Sequence, residues 1–232
     1  NNAVTRHPAR TTLRCTAIKA ETAAVEPRRD VPFEDWHSEK YDGWTTTGNA
    51  FGSGPILRRD IPSYQGNVGG DTDRVVNSHA TAPGNDVGSK DSATGTLTCN
   101  PFTINRKYIQ FWIGGGNHAG KTCLNLLVDG KVVRTATGKN NNQMYKTAFD
   151  VSALEGKMAQ IQIVDNESGA WGNIGVGNII LTDIPLRTVE LERLPDYGDM
   201  TISVLGEQDV FGMPDVSSGD GLKSNSAIKG SL

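Results

Sequence analysis

Lys107-Tyr108-Ile109-Gln110-Phe111-Trp112-Ile113 is the stretch that decides the fold. Ile109, Phe111 and Ile113 fall on one face of an extended chain, and Tyr108, Gln110 and Trp112 on the other. A period of two marks a β-strand, because successive side chains of a strand point to opposite faces. Downstream, Leu124 to Val128 and Lys131 to Thr137 flank Asp129-Gly130. Asp-Gly tolerates the positive φ values of a type I′ turn, so this segment reads as a hairpin. Gln160 to Val164 alternates again, and Asn173 to Thr182 is a last strand softened by Gly175 and Gly177. The only helical hint is Asp150 to Gly156, where Asp150 or Ser152 caps a single turn. Short strands with turn signals and almost no helix predict an all-β protein, an antiparallel β-sandwich of jelly-roll type.

The chain has 232 residues, 27 of them Gly and 10 Pro, and is long enough to bury a sizeable core. A net charge of -3, with no basic tract longer than Arg28-Arg29 or Arg58-Arg59, argues against nucleic acid or an anionic membrane as partner. No apolar run approaches the roughly 18 residues of a membrane helix, and no signal peptide is visible. The first residue is Asn, so the chain reads as an excerpt of something longer. Cys15, Cys99 and Cys123 leave at least one thiol unpaired and lack zinc-site spacing. Residues 1–30 read as a short strand, Thr11 to Ala17, and a linker. Residues 31–187 form the compact unit, and residues 188–232 hold one strand candidate, Met200 to Leu205, before a Gly/Ser/Asp-rich tail. Gly66 to Gly95 is either one long irregular loop or two loops split by a strand over Arg74 to Ser78.

Several motifs are specific enough to carry a resemblance. Tyr41-Asp42-Gly43-Trp44 with Gly48-Asn49-Ala50-Phe51-Gly52, Ile109 to His118, Gly120 to Arg134, and Ile163-Val164-Asp165 with Trp171-Gly172-Asn173-Ile174 resemble a β-sandwich accessory module of bacterial glycoside hydrolases. The same kind of module resembles the C-terminal accessory part of bacterial levanases. The flanks, Asn1 to Val4 and Leu194 to Met200, are similar to the N-terminal β-sandwich domain of bacterial relatives of the non-lysosomal glucosylceramidase, or bile-acid β-glucosidase, family. That resemblance implies a module inserted in a host domain. Residues 1–30 and 188–232 are then remnants of host strands, and the catalytic carboxylates lie in a helical barrel outside this chain.

The residues themselves point the same way. Glycoside hydrolysis uses two carboxylates facing each other across a cleft. Glu34-Asp35 are neighbours that point apart on a strand, and Asp165, Glu167 and Asp183 have no pairing signature. His7, His37, His79 and His118 are scattered, and no GxSxG nucleophile elbow is present. Gly114-Gly115-Gly116 lacks the Lys-Ser/Thr ending of a phosphate loop and reads as a strand end where backbones approach closely. Sugar binding needs an aromatic face for the ring and polar groups for the hydroxyls. Trp112, Asn117, His118, Asp165, Trp171 and Asn173 are the candidates, with Trp44 and the amide-rich run Gly138 to Gln143 behind them. Trp112 is either exposed on the face opposite the aliphatic one or core beneath a second layer. Jelly-roll accessory modules often carry a structural calcium ion near the chain ends. Glu34, Asp35 and Asp183 are the ligands expected if the first and last strands pair.

The chain is therefore expected to be a non-catalytic accessory module of a glycoside hydrolase, not an enzyme by itself. It binds a polysaccharide or oligosaccharide or shapes the rim of the host's active site. The alternatives are a purely structural insert that mediates packing or oligomer contacts, and part of a β-glucosidase-like enzyme whose catalytic residues lie elsewhere. The remainder of the host is the expected protein partner. The compartment stays open, an extracytoplasmic one being what a polysaccharide-active host would use.

Overall fold

The structure, a computed structural model, describes residues 27–186. The strand candidates Thr11 to Ala17 and Met200 to Leu205, and both flanking motifs, lie outside the described residues. The elements run β1 (Val31–Glu34), β2 (Trp44–Gly48), β3 (Ile56–Leu57), β4 (Arg74–Asn77), α1 (Ser78–Thr81), α2 (Val87–Asp91), β5 (Gly95–Cys99) and β6 (Phe102–Thr103). They continue with β7 (Tyr108–Gly115), β8 (Thr122–Val128), β9 (Lys131–Thr137), β10 (Asn141–Asp150), β11 (Met158–Asp165) and β12 (Ile174–Thr182). Single 3-10 turns occupy Arg58–Asp60, Ser63–Gln65 and Ser152–Leu154.

The strands form two antiparallel sheets, an antiparallel β-sandwich. One has the order β10-β7-β12-β4-β3 with β1 also on β12; the other has β2-β5-β11-β8-β9 with β6 also on β11. The alternation in β7 does what it predicts. Ile109, Phe111 and Ile113 are fully buried, and they meet Leu97, Leu124, Leu126, Ile161 and Ile163 of the facing sheet in one core. Each such side chain stabilises the fold by ~1.5–3 kcal/mol through removal of apolar surface from water.

The opposite face of β7 is covered as well. Trp112 packs on a second cluster of Ile61, Val68, Val75 and Met144, which the chain between β3 and β4 helps to supply. Gln110 is buried there and donates its amide to the Ile184 carbonyl at 2.8 Å. The covered alternative for Trp112 is therefore the one the fold adopts.

The hairpin forms as expected. Val128 opposes Lys131, and Asp129 and Gly130 adopt φ values of 52° and 70°. The helical hint at Asp150 becomes the Ser152–Leu154 turn, with Asp150 accepting from the Ser152 amide at 3.0 Å. In the Gly66 to Gly95 segment β4 does divide the loop, and two helices of four and five residues appear that the sequence pattern does not show. They are too short to display a 3.6-residue period. Their one legible signal is capping: Asn77 accepts from the Ala80 amide at 2.9 Å, and Asp86 and Ser89 form a reciprocal capping box.

Candidate functional site at the loop end of the sandwich

The site lies where β7, β9 and β11 end and β8, β10 and β12 begin. Gly115 opposes both Asn141 and Ile174, and Asp165 opposes both Thr122 and Gly95. Loops 116–121, 138–140 and 166–173 therefore emerge together, with the α1–α2 segment beside them.

The glycine run seats these loops. A Cβ on Gly115 would lie 2.4 Å from the Asn173 carbonyl oxygen, and one on Gly116 would lie 2.2 Å from that of Trp171. The Gly116 amide donates to the Asn173 carbonyl at 2.9 Å. Only glycine allows this approach, which matches the strand-end reading of the run.

Trp171 is 37% exposed and holds a φ of 61°. A left-handed backbone at a bulky residue costs about 1–3 kcal/mol and persists only when its surroundings enforce it. The enforcement is visible: the Gly172 amide closes a turn onto the Gly169 carbonyl at 2.9 Å, and the Asn166 amide reaches the Lys121 carbonyl at 2.7 Å. His118 hydrogen-bonds through Nε2 to the Ala170 carbonyl at 3.1 Å, so the imidazole borders the loop that carries Trp171. Asn117 is exposed; its amide N–H donates to Asn140 Oδ1 at 2.8 Å, and its Oδ1 accepts from the Thr137 hydroxyl at 2.8 Å. Trp171, His118 and Asn117 thus share one surface.

Three other candidates do not reach it. Asn173 is buried and donates to Asn142 Oδ1 at 3.2 Å, while its own Oδ1 meets no donor. It lines a cavity of about 10 Å³ with Asn142, Gln65 and Met144, which is room for one water and not for a sugar ring. Asp165, expected to bond a ligand hydroxyl, is 1% exposed at the sealed end of β11, where the Ser78 hydroxyl and the Glu167 amide are its nearest donors and neither makes a well-formed hydrogen bond. Burial pushes its pKa up to about 7 against the opposing pull of the Ser78 hydroxyl and the Glu167 amide; the charges of Asp91 and Glu167 add to the rise. Its role is inside the loop end, not at its surface. Trp112 sits mid-strand, half-buried under the second cluster, with its indole N–H sealed and unpaired.

Glu34, Asp35 and Asp183, the expected calcium ligands, are each engaged separately. Glu34 accepts from the Trp36 amide and the Trp44 indole, both at 2.9 Å. Asp35 pairs with His37, and each raises the charged form of the other. Asp183 accepts from Arg28 at 2.6 and 2.8 Å, which holds its carboxyl at about 2. β1 does pair with β12, but the carboxylates do not converge. Among the described residues there is no group of three His, Cys, Asp or Glu side chains placed to hold a metal ion.

One cluster escaped the sequence reading. Tyr64 Oη lies 2.8 Å from His79 Nε2, and His79 Nδ1 lies 2.5 Å from Asp91 Oδ1. The three residues belong to a 3-10 turn, α1 and α2, so no spacing rule connects them.

No family model matches the chain. It is 34% identical over 175 residues to the Aspergillus rugulosus protein named "Putative glycosyl hydrolase ecdE"; the match covers 74% of this chain and 24% of that protein. The chain thus spans about a quarter of the length of this curated relative. Among solved structures, the K1 adhesin domain of Lys-gingipain from Porphyromonas gingivalis W83 is similar at 9% identity and a TM-score of 0.41, covering 66% of this chain and 98% of that one. A CBM29-2 mutant, a family 29 carbohydrate-binding module, is similar at 14% identity and 0.35, covering 67% and 93%. TmCBM61, solved with β-1,4-galactotriose, is similar at 12% identity and 0.38, covering 64% and 92%.

Proposed function

We propose that this chain is a non-catalytic accessory module of a glycoside hydrolase and that it binds an oligosaccharide or polysaccharide at its loop end. The observation that carries this reading is Trp171: an exposed indole, held on left-handed backbone, beside His118 and Asn117. An open aromatic face suits the C–H face of a sugar ring, and the imidazole and amide edges suit its hydroxyls. The sequence relation to a protein named as a glycosyl hydrolase supports such a host. A levanase-like module set in a glucosylceramidase-like host is the finer form of this proposal, resting on the motifs named above. In that arrangement the bond is cleaved elsewhere in the host, and this chain supplies stacking and hydrogen bonds.

A glycan array with the intact chain tests the reading, with Trp171→Ala run in parallel. Binding of the native chain that the variant loses, at an unchanged melting temperature, is the expected result. Equal binding by both, or none by either across a broad panel, overturns it.

A further inference from the structure

We infer that Tyr64 is a second ligand-contact residue of the loop end and that His79 and Asp91 position it. It presents its hydroxyl oxygen as an acceptor for a sugar hydroxyl while its ring stays open for stacking. This rests on the carbohydrate reading above.

Tyr64 is 59% exposed, yet its hydroxyl is turned inward onto His79, which is only 2% exposed. An exposed tyrosine ordinarily spends that hydroxyl on water. The rings stand nearly perpendicular, 5.6 Å between centroids and 85° between planes, so His79 does not stack flat on Tyr64, most of whose surface stays exposed. The proton positions follow from the partners. With Asp91 accepting at Nδ1 and the ring neutral, its one proton sits on Nδ1. Nε2 is left with a lone pair and accepts the Tyr64 O–H. The phenolic oxygen then keeps only lone pairs for the outside, which makes it an acceptor with a fixed direction.

Tyr64 belongs to the same end of the sandwich as Trp171. The neighbouring Gln65 accepts from the Asn77 side chain at 3.1 Å and lines the small cavity with Asn142 and Asn173. The Asp91 carbonyl oxygen packs against Gly172, 2.3 Å from where a Cβ would stand. One run of contacts therefore links Tyr64, His79 and Asp91 to the residue that follows Trp171. Two exposed aromatics, Tyr64 held by buried His79 and Trp171 by the backbone turn of its loop, make a surface pre-shaped for a flat, hydroxyl-rich ligand, with little ordering left to be done on binding.

The experiment uses the intact chain on affinity gels cast with levan, inulin, mixed-linkage β-glucan, xyloglucan or galactan. On the gel that retards the native chain, Tyr64→Ala should weaken retention about tenfold and Tyr64→Phe, which keeps the ring, about fivefold. Asp91→Asn should weaken it by a similar fivefold, move the 15N shifts of His79 towards the other tautomer, and add no further loss in a Tyr64→Ala background, which a structural role independent of Tyr64 would not produce. Native-like retention of Tyr64→Ala and Tyr64→Phe on a gel where Trp171→Ala runs free overturns the Tyr64 assignment and leaves the Trp171 reading standing. A native chain unretarded on every gel overturns both.

Discussion

The Asn173 carbonyl oxygen stands 2.4 Å from the place a Cβ on Gly115 would occupy, and Gly115 itself holds a φ of 93°. The last residue of β7 and the residue before β12 are thus in backbone contact, and the loop that carries Trp171 is seated on a glycine. Gly115→Ala should lower stability by about 2 kcal/mol or more, from the contact and the backbone strain together. An unchanged midpoint in chemical denaturation would show that the loop does not depend on this approach.

Asp165 sets a pH dependence. Its folded-state pKa of about 7 lies above the ~3.9 of an unfolded chain, so the folded protein binds more protons between those values. Stability should be greatest near pH 4 as far as this group is concerned and should fall as pH rises through 7. Asp165→Asn should remove that slope and raise stability at pH 8 by on the order of 2 kcal/mol. Thermal melts of both proteins from pH 5 to 9 read the effect, and parallel curves would contradict it.

Trp112 and Trp171 should separate cleanly. Trp112→Ala empties a packed position and should cost about 3 kcal/mol, with glycan retention unchanged in whatever fraction stays folded. Trp112→Phe removes a sealed, unpaired indole N–H and should cost less than about 1 kcal/mol. Trp171→Ala should leave stability within about 0.5 kcal/mol and abolish retention. Denaturation curves and affinity electrophoresis on the same preparations give both readings.

Asp183 holds Arg28 and the Lys107 amide at once, at distances between 2.6 and 3.1 Å. Its depressed pKa means that this contribution is present above the ordinary carboxylate range and lost as pH falls through about 2. Asp183→Asn should accelerate hydrogen exchange at the Lys107 amide at neutral pH. Exchange as slow as in the native chain would mean that the backbone pairing of β7 and β12 alone protects it.

Much of the fold is legible in local pattern. The period of two in Lys107 to Ile113 reports a strand with an aliphatic core face, and Asp129-Gly130 reports the hairpin, because both depend on backbone geometry within a few residues. The two helices after β4 leave only capping signals, since one turn of helix cannot display a period. For the candidate site, residue chemistry alone could not sort surface from interior: Asn117, part-buried His118 and Trp171 lie on neighbouring loops, whereas Asp165 and Asn173 carry the same polar chemistry but lie sealed beneath them.

What the amino-acid order determined by itself is therefore β7, β8, β9, β11 and β12, the turn between β8 and β9, and the glycines on which the loop end is seated; β1, β2, β5 and β10, the last of which begins inside the amide-rich run at Asn141, carry no alternation long enough to mark them. What only the tertiary structure decided is which faces are covered and which distant side chains meet. Trp112 is roofed by a segment about 40–50 residues earlier in the chain, and Tyr64, His79 and Asp91 come together from three separate elements. Contacts of that range are set by the packing of one sheet and its loops on another, and no pattern within a single strand or turn encodes them.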